Sequence, residues 1–411
     1  MSKTITRITS NQPVFKDSDP QDSLVTLNLG PTHPATHGVF QNVLQIDGER
    51  IVSCVSTIGY IHRAFEKIAE HRPFYQITPL TDRMNYCSSP INNMGWHMTV
   101  EKLLGIEIPK RVQYMRVIIM ELARITDHII CNGILGVDTG AFSGFLYLMQ
   151  EREAIYEIYE EICGARLTTN IGRIGGFERD FNDVAWAKIR AFLDRFPRVL
   201  KEFEDLFVRN RIFIERTSGV AAVTPEQAID YSWSGPLLRA TGIDYDIRVQ
   251  DPYCSYEEFD FEVPVGTNGD VYDRFMVRNE EMWQSMRIIE QALQKIEKEP
   301  KGVFYADVPG FYLPPKEQVY NNMEALIYHF KLVMGEVETP KTEVYHAVEG
   351  ANGELGFYLI NDGGRTPYRL HFRRPSLINY QMFAHMSEGM VLADAIINMS
   401  SLNVIAGELD A

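Results

Sequence analysis

The sequence predicts an α+β protein, with strands at both ends of the chain around a helical middle. Three observations carry this: apolar residues alternate with period two near the N-terminus, recur at three- and four-residue steps through the centre, and alternate again near the C-terminus. Residues 1–22 form a polar arm, and 23–411 read as a single domain. Within it lie a β-region at 23–58, a helical core at about 59–300, and a β-meander followed by a helix at about 301–411.

Val25, Leu27 and Leu29, then Val43, Leu44, Ile46, Ile51 and Val55, mark the first strands, and Asp47-Gly48 splits the later part into a hairpin. Pro109 suits a first helical position, with Val112, Met115, Ile118, Ile119, Leu122, Ile125 and Ile129 as the apolar stripe that follows. Further helices are expected at 141–163 and 184–207, and one starting at the Thr224-Pro225-Glu226-Gln227 capping box. Met282, Met286, Ile289, Leu293 and Ile296 form another stripe, ending before Pro300. Segments 344–349, 354–360 and 367–373 read as a meander turning at Asn352-Gly353 and at 362–364; a last helix at 377–399 precedes an acidic tail, GELDA.

At 45% hydrophobic residues over 411 positions, the chain can build a large core. A net charge of −15 without a basic stripe excludes a phosphate-backbone binder. The N-terminus lacks the features of a targeting segment. The most apolar run, Ile129 to Met149, is broken by Asp138 and by glycines, so no membrane span is expected. Cys54, Cys87, Cys131, Cys163 and Cys254 show no CxxC spacing and read as small apolar groups. Dinucleotide, phosphate-loop, HExxH and GxSxG motifs are absent, and Gly172–Gly176 reads as a turn that needs glycine.

Three places stand out chemically. His33 and His37 lie four apart in the loop GPTHPATHG, as solvated histidines or as ligands, with Pro34 arguing against a helix between them. Asp138 interrupts a small-and-apolar run at an expected helix start, as an N-cap or as a functional acid. Tyr86 sits in the uncharged stretch MNYCSSPINNMGW, a core tyrosine or a functional one, its hydroxyl expected to be held by a partner.

These segments resemble one family. LGPTHPATHGV (29–39), GYIHRAFEKIAE (59–70), DRMNYCSSPINNMGWHMTVEKLLG (82–105), DTGAFSGFLYLMQEREAIYEIYEEICGAR (138–166), SGPLLRATGIDYDIR (234–248), FEVPVGTNGDVYDRFMVRNEEMWQSMRII (261–289) and the final GELDA are similar, in order, to the D-type subunit of bacterial respiratory complex I, the type I NADH–quinone oxidoreductase. The resemblance implies a fold like the nickel–iron hydrogenase large subunit, and a proton-translocating complex peripheral to the cytoplasmic side of the inner membrane. It implies His37 and Tyr86 as quinone head-group ligands and Asp138 as the acid paired with the histidine. It places Arg63 and Thr168 near a [4Fe–4S] cluster held by the adjacent iron–sulfur (B-type) subunit. It also implies the C-type, I-type and membrane-embedded H-type subunits as further partners. Neither NADH nor a metal is expected on this chain. The hydrogenase reading itself is disfavoured by the missing CxxC pairs, and a non-catalytic scaffold by the joint presence of Tyr86, His37 and Asp138.

The chain departs from the family at Thr168, where histidine is frequent. Threonine cannot take up a proton when the cluster is reduced, which implies a low, nearly pH-independent potential suited to menaquinone. The segment LHFRRPS (370–376) also differs from the family's usual basic-apolar form.

Overall fold

The computed structural model describes residues 24–306, 313–334 and 339–411; the expected polar arm lies outside them. It is a mixed helix-and-strand structure, as the alternating and helical periodicities predict. Strands β1 (Leu24–Leu29), β2 (Gln41–Asp47) and β3 (Arg50–Thr57) form an antiparallel sheet, with Asp47 facing Arg50 across the expected turn. Strands β4 (Glu343–Gly350), β5 (Gly353–Ile360) and β6 (Arg369–Arg373) form the C-terminal meander. There Gly350 pairs with Gly353, so the turn residues are Ala351 and Asn352, one position earlier than the sequence suggested. Gly172-Arg173 and Gly176-Phe177 pair as a tight hairpin, in keeping with the turn reading.

Between the sheets run the long helices α1 (Ser89–Leu104), α2 (Lys110–Asp138), α3 (Phe142–Cys163), α4 (Asp183–Phe207) and α5 (Val271–Ile296). Pro109 precedes α2 as its cap residue and is not its first helical residue. Asn182 caps α4 by accepting from the Ala185 amide, and the Thr224 capping box forms over the short helix Pro225–Asp230. Helix α1 was not anticipated. Fourteen of its sixteen residues are buried, so it shows no apolar stripe.

The expected helix at 377–399 is broken into Pro375–Tyr380, Phe383–Ser387 and α6 (Leu392–Leu402). The chain leaves helical geometry at Gly389 (φ 82°) because residues 389–392 pair with the edge of β3. The Gly389 and Leu392 amides donate to Ile51 and Glu49 carbonyls, and the Ile51 amide donates to Met390. Those bonds replace the helical ones.

The acidic tail also folds inward, as the short helix α7 (Ala406–Leu409). Glu408 is buried and accepts from the Ser376 amide at 3.2 Å and from the Ser376 hydroxyl. Ser376 closes the divergent LHFRRPS segment, which otherwise forms β6 and the start of the next helix. Burial pushes the Glu408 carboxyl up to about 7 against the Ser376 bonds, and the charge of Asp127 adds to the rise. A carboxyl raised in the folded state favours folding fully below its unfolded value of 4.5, and that advantage is lost as pH rises through 7. Glu408→Gln should therefore gain up to about 3 kcal/mol on the parent near pH 8 and little near pH 4. Melting curves of the two at both pH values check this, and an equal difference at both would mean that Glu408 does not change charge.

Candidate functional site

The site begins with a short loop. After β1, His33 caps a single 3-10 turn, Pro34–Thr36, its Nδ1 accepting from the Ala35 amide at 3.1 Å. Pro34 therefore does not forbid a helical turn here: it occupies the first position, where its missing N–H costs nothing. The turn ends at His37, in the left-handed region (φ 52°). Gly38 then passes so close to α7 that a Cβ would meet that of Ala406 at 2.8 Å.

Asp138 is the last residue of α2, not the start of a helix, so the N-cap alternative falls. A carboxylate is disfavoured at a helix C-terminus by the macrodipole. Here it is compensated: His37 Nε2 lies 3.1 Å from Oδ2, and the Ser400 hydroxyl of α6 donates to the same oxygen. The pair is only partly exposed, 21% for His37 and 14% for Asp138.

Tyr86 precedes α1 in a segment pinned from below. Asn85 Oδ1 accepts from the Cys87 and Ser88 amides at 3.1 and 3.3 Å, while its Nδ2 donates to Asp127 of α2 at 2.8 Å. Gly407 seals the other side, because a Cβ there would meet the Arg83 and Met84 carbonyls at 2.4 and 2.6 Å. The Tyr86 ring is half-buried, and its hydroxyl has no hydrogen-bond partner among the described residues, contrary to the expected anchoring. Burial pushes its proton affinity up to about 12, with Cys87 and Asp127 adding and Arg152 opposing.

His37 and Tyr86 open into one cavity of about 350 Å³. Its wall is mostly apolar, from Ile130 and Ile134 of α2, Phe145 and Met149 of α3, and Val404 and Ile405 beyond α6. Residues 127, 130, 131, 134 and 138 fall on one face of α2, which is how that helix carries both the floor and the paired acid. A larger groove of about 690 Å³ lies between the helix Phe74–Thr81 and the segment around Val333, and includes none of the predicted site residues. The chemistry converges on the smaller one.

Arg63 and Thr168 do not line that cavity. Arg63 is exposed ahead of the helix Phe65–Ala69, and Thr168 is half-buried with φ 53°, a strained conformation for a β-branched residue. Sequence reasoning missed Arg152, Ser400 and Asn403, which also line the cavity. Arg152 stands in the charged run Gln150–Glu153 that reads as a solvated face, and the two polar residues carry no local signal.

Comparison with known proteins relates the chain as a whole to respiratory dehydrogenases. The family model for the respiratory-chain NADH dehydrogenase 49 kDa subunit matches residues 138–411. The second D-type subunit of NADH-quinone oxidoreductase from Cytophaga hutchinsonii is 71% identical over 390 residues, covering 95% of this chain and 99% of that protein. The D-type subunit of Flavobacterium johnsoniae is 69% identical over 401 residues, 97% of each chain, and that of Leptospira biflexa 54% over 396, 96% of each. The class is a subunit of a respiratory oxidoreductase complex. The chain belongs to the 49 kDa subunit family of respiratory-chain NADH dehydrogenase, and these relatives are the D-type subunits of NADH-quinone oxidoreductases.

Proposed function

We propose that the cavity between His37 and Tyr86 is the quinone head-group site of a proton-translocating NADH–quinone oxidoreductase. The observation that carries this reading is that one mostly apolar cavity is lined by both Tyr86 and the Asp138-paired His37. A quinone is flat and apolar with two carbonyl acceptors, and this wall offers apolar packing with two proton-bearing donors. The chain's own fold is read as like the nickel–iron hydrogenase large subunit, its former metal cavity given over to quinone.

The [4Fe–4S] cluster of the adjacent iron–sulfur subunit would supply the electrons one at a time, and Arg63 and Thr168 are the residues of this chain that the family resemblance assigns to its neighbourhood. Two electrons and two protons convert the quinone to the quinol. Tyr86 and His37 each donate to one carbonyl oxygen, whose basicity rises as electrons arrive. Asp138 holds the imidazole orientation. The C-type and I-type subunits complete the peripheral arm, and the H-type subunit links it to the cytoplasmic face of the inner membrane. No described helix is long and apolar enough to cross a membrane. The loss of charge at His37–Asp138 on proton transfer would bias the loop carrying His37 and so couple reduction to proton translocation.

Asp138→Asn tests the reading. Removing the carboxylate 3.1 Å from Nε2 takes away the partner that orients the imidazole, so quinone reduction should slow while NADH oxidation by an upstream artificial acceptor persists. Steady-state rates of the assembled complex measure both. A parent-like rate would reduce Asp138 to a structural terminus of α2.

A further inference from the structure

We propose that Arg152 is the fixed positive charge of the cavity, there to steady the negative charge that builds on the head group and on the Tyr86 oxygen during proton transfer. The inference rests on the quinone reading above and adds to it a third polar group.

Its position comes from helix geometry. Phe145, Met149 and Arg152 recur at four- and three-residue steps on α3, so one face presents all three to the cavity they line. The guanidinium lies 4.6 Å from the centre of the Tyr156 ring, which holds it in place without neutralising it. Its buried Nε has no acceptor, and its Nη1 meets the Met149 sulfur at 3.7 Å. The acids on either side in sequence are engaged elsewhere: Glu151 with Arg195 at 2.9 Å and Glu153 with Arg166 at 2.6 Å. Among the described residues no carboxylate lies within ion-pair distance of Arg152. Of the buried arginines, Arg111, Arg116, Arg124, Arg239 and Arg248 are each paired with one, whereas Arg274 and Arg278 meet only neutral groups and do not line the cavity. A cavity-facing guanidinium left without a counter-ion suits a site where negative charge appears only during the reaction.

The surroundings place that charge where it is needed. Tyr86 and Cys87 ahead of α1, Asp127 and Cys131 on α2, Tyr156 on α3 and Arg166 beyond it are the titratable and charged groups around it, with His37 lining the same cavity. Of the influences on the Tyr86 hydroxyl, burial, Cys87 and Asp127 all oppose release of its proton, and Arg152 favours it. In the reaction the Tyr86 O–H bond breaks as an O–H bond forms at one carbonyl oxygen. The His37 N–H does the same at the other. The bonding pairs stay on the tyrosine oxygen and the ring nitrogen, and the two electrons come from the cluster of the adjacent iron–sulfur subunit. The tyrosinate stays anionic until solvent reprotonates it, and Arg152 is its cation.

The test uses the assembled complex with Arg152→Gln, Arg152→Lys and Tyr86→Phe, following NADH-driven reduction of a short-chain quinone. NADH oxidation by an artificial acceptor upstream normalises for assembly. Arg152→Gln is expected to lower kcat by about tenfold or more with KM little changed, and Arg152→Lys to keep most of the turnover. Parent-like kcat in Arg152→Gln overturns the proposal, as does an equal loss in Lys and Gln, which would leave only packing on Tyr156. If Gln does not assemble, Lys decides: turnover kept supports the charge, and turnover lost in an assembled complex overturns it. Slow Tyr86→Phe with normal Arg152→Gln sinks this inference alone; normal rates in both sink the quinone reading as well.

Discussion

Tyr86→Phe should leave the complex assembled and lower quinone reduction by about 10²-fold or more. The ring carries the packing: Tyr86 is half-buried beside Cys87 and Ile130, and phenylalanine fills the same space. Its hydroxyl, by contrast, stabilises nothing in the protein, because no described residue bonds it. A tyrosine that lines a mostly apolar cavity with its hydroxyl unbonded by the described residues can offer that hydroxyl to a ligand. Burial pushes its proton affinity up to about 12, so it stays protonated at neutral pH and is a reluctant acid toward water. On the quinone reading proposed above, a doubly reduced quinone oxygen would be basic enough to take that proton, which would confine transfer to the moment after electrons arrive. NADH oxidation by an upstream artificial acceptor should persist in the variant. Equal loss of both activities would indicate misassembly, and loss of neither would remove Tyr86 from the reaction.

Much of the architecture was legible because it depends on periodicity. The β2–β3 hairpin, α3, α4 and the C-terminal meander fall within a residue or two of their expected bounds, since each buries one face and exposes the other. Elements with no exposed face were not: α1 is buried all round, and its Asn, Ser and Thr residues resemble a loop until their partners are known. The break at Gly389 is a tertiary effect, imposed by the β3 edge some 340 residues earlier in the chain. For the candidate site, the loop histidines and Tyr86 could be singled out by type and context, but nothing local says that His37 meets Asp138 across about 100 residues. Ser400 and Arg152 needed the fold itself, because a serine on a helix and an arginine among glutamates are what solvent-facing surfaces ordinarily contain.

The largest stability effect is expected from the other face of α2, where charge is buried for structure. Glu121, Arg124 and His128 meet Arg239, Asp246, Arg248, Glu281 and Glu349 in one network, every member nearly inaccessible to solvent. Glu281 is its hinge between elements: from α5 it accepts from Arg239 at 2.5 and 3.1 Å and lies 2.6 Å from His128 Nε2. Burial alone would raise the Glu281 carboxyl, but Arg239 and His128 outweigh it and hold the group well below the usual carboxylate range. Glu281→Ala leaves His128 without that acceptor and removes the shorter of Arg239's contacts, although Glu349 at 2.9 Å and Asp246 at 3.5 Å remain. Removing one acceptor from such a set leaves the buried His128 group unmatched and Arg239 less fully paired, at a cost of up to about 3–5 kcal/mol. The matched control is Glu215→Ala, which breaks the exposed Arg211–Glu215 pair at 2.8 Å and should change nothing measurable. Thermal inactivation of the assembled complex compares the two variants with the parent. The pH dependence carries its own sign. A carboxyl depressed in the folded state contributes stability above its unfolded pKa of 4.5 and loses it as pH falls through the folded value, so the parent should weaken in acid more steeply than Glu281→Ala. A Glu281→Ala complex that inactivates like the parent would mean that Arg239 and His128 are satisfied without it, and that the network is redundant at its centre.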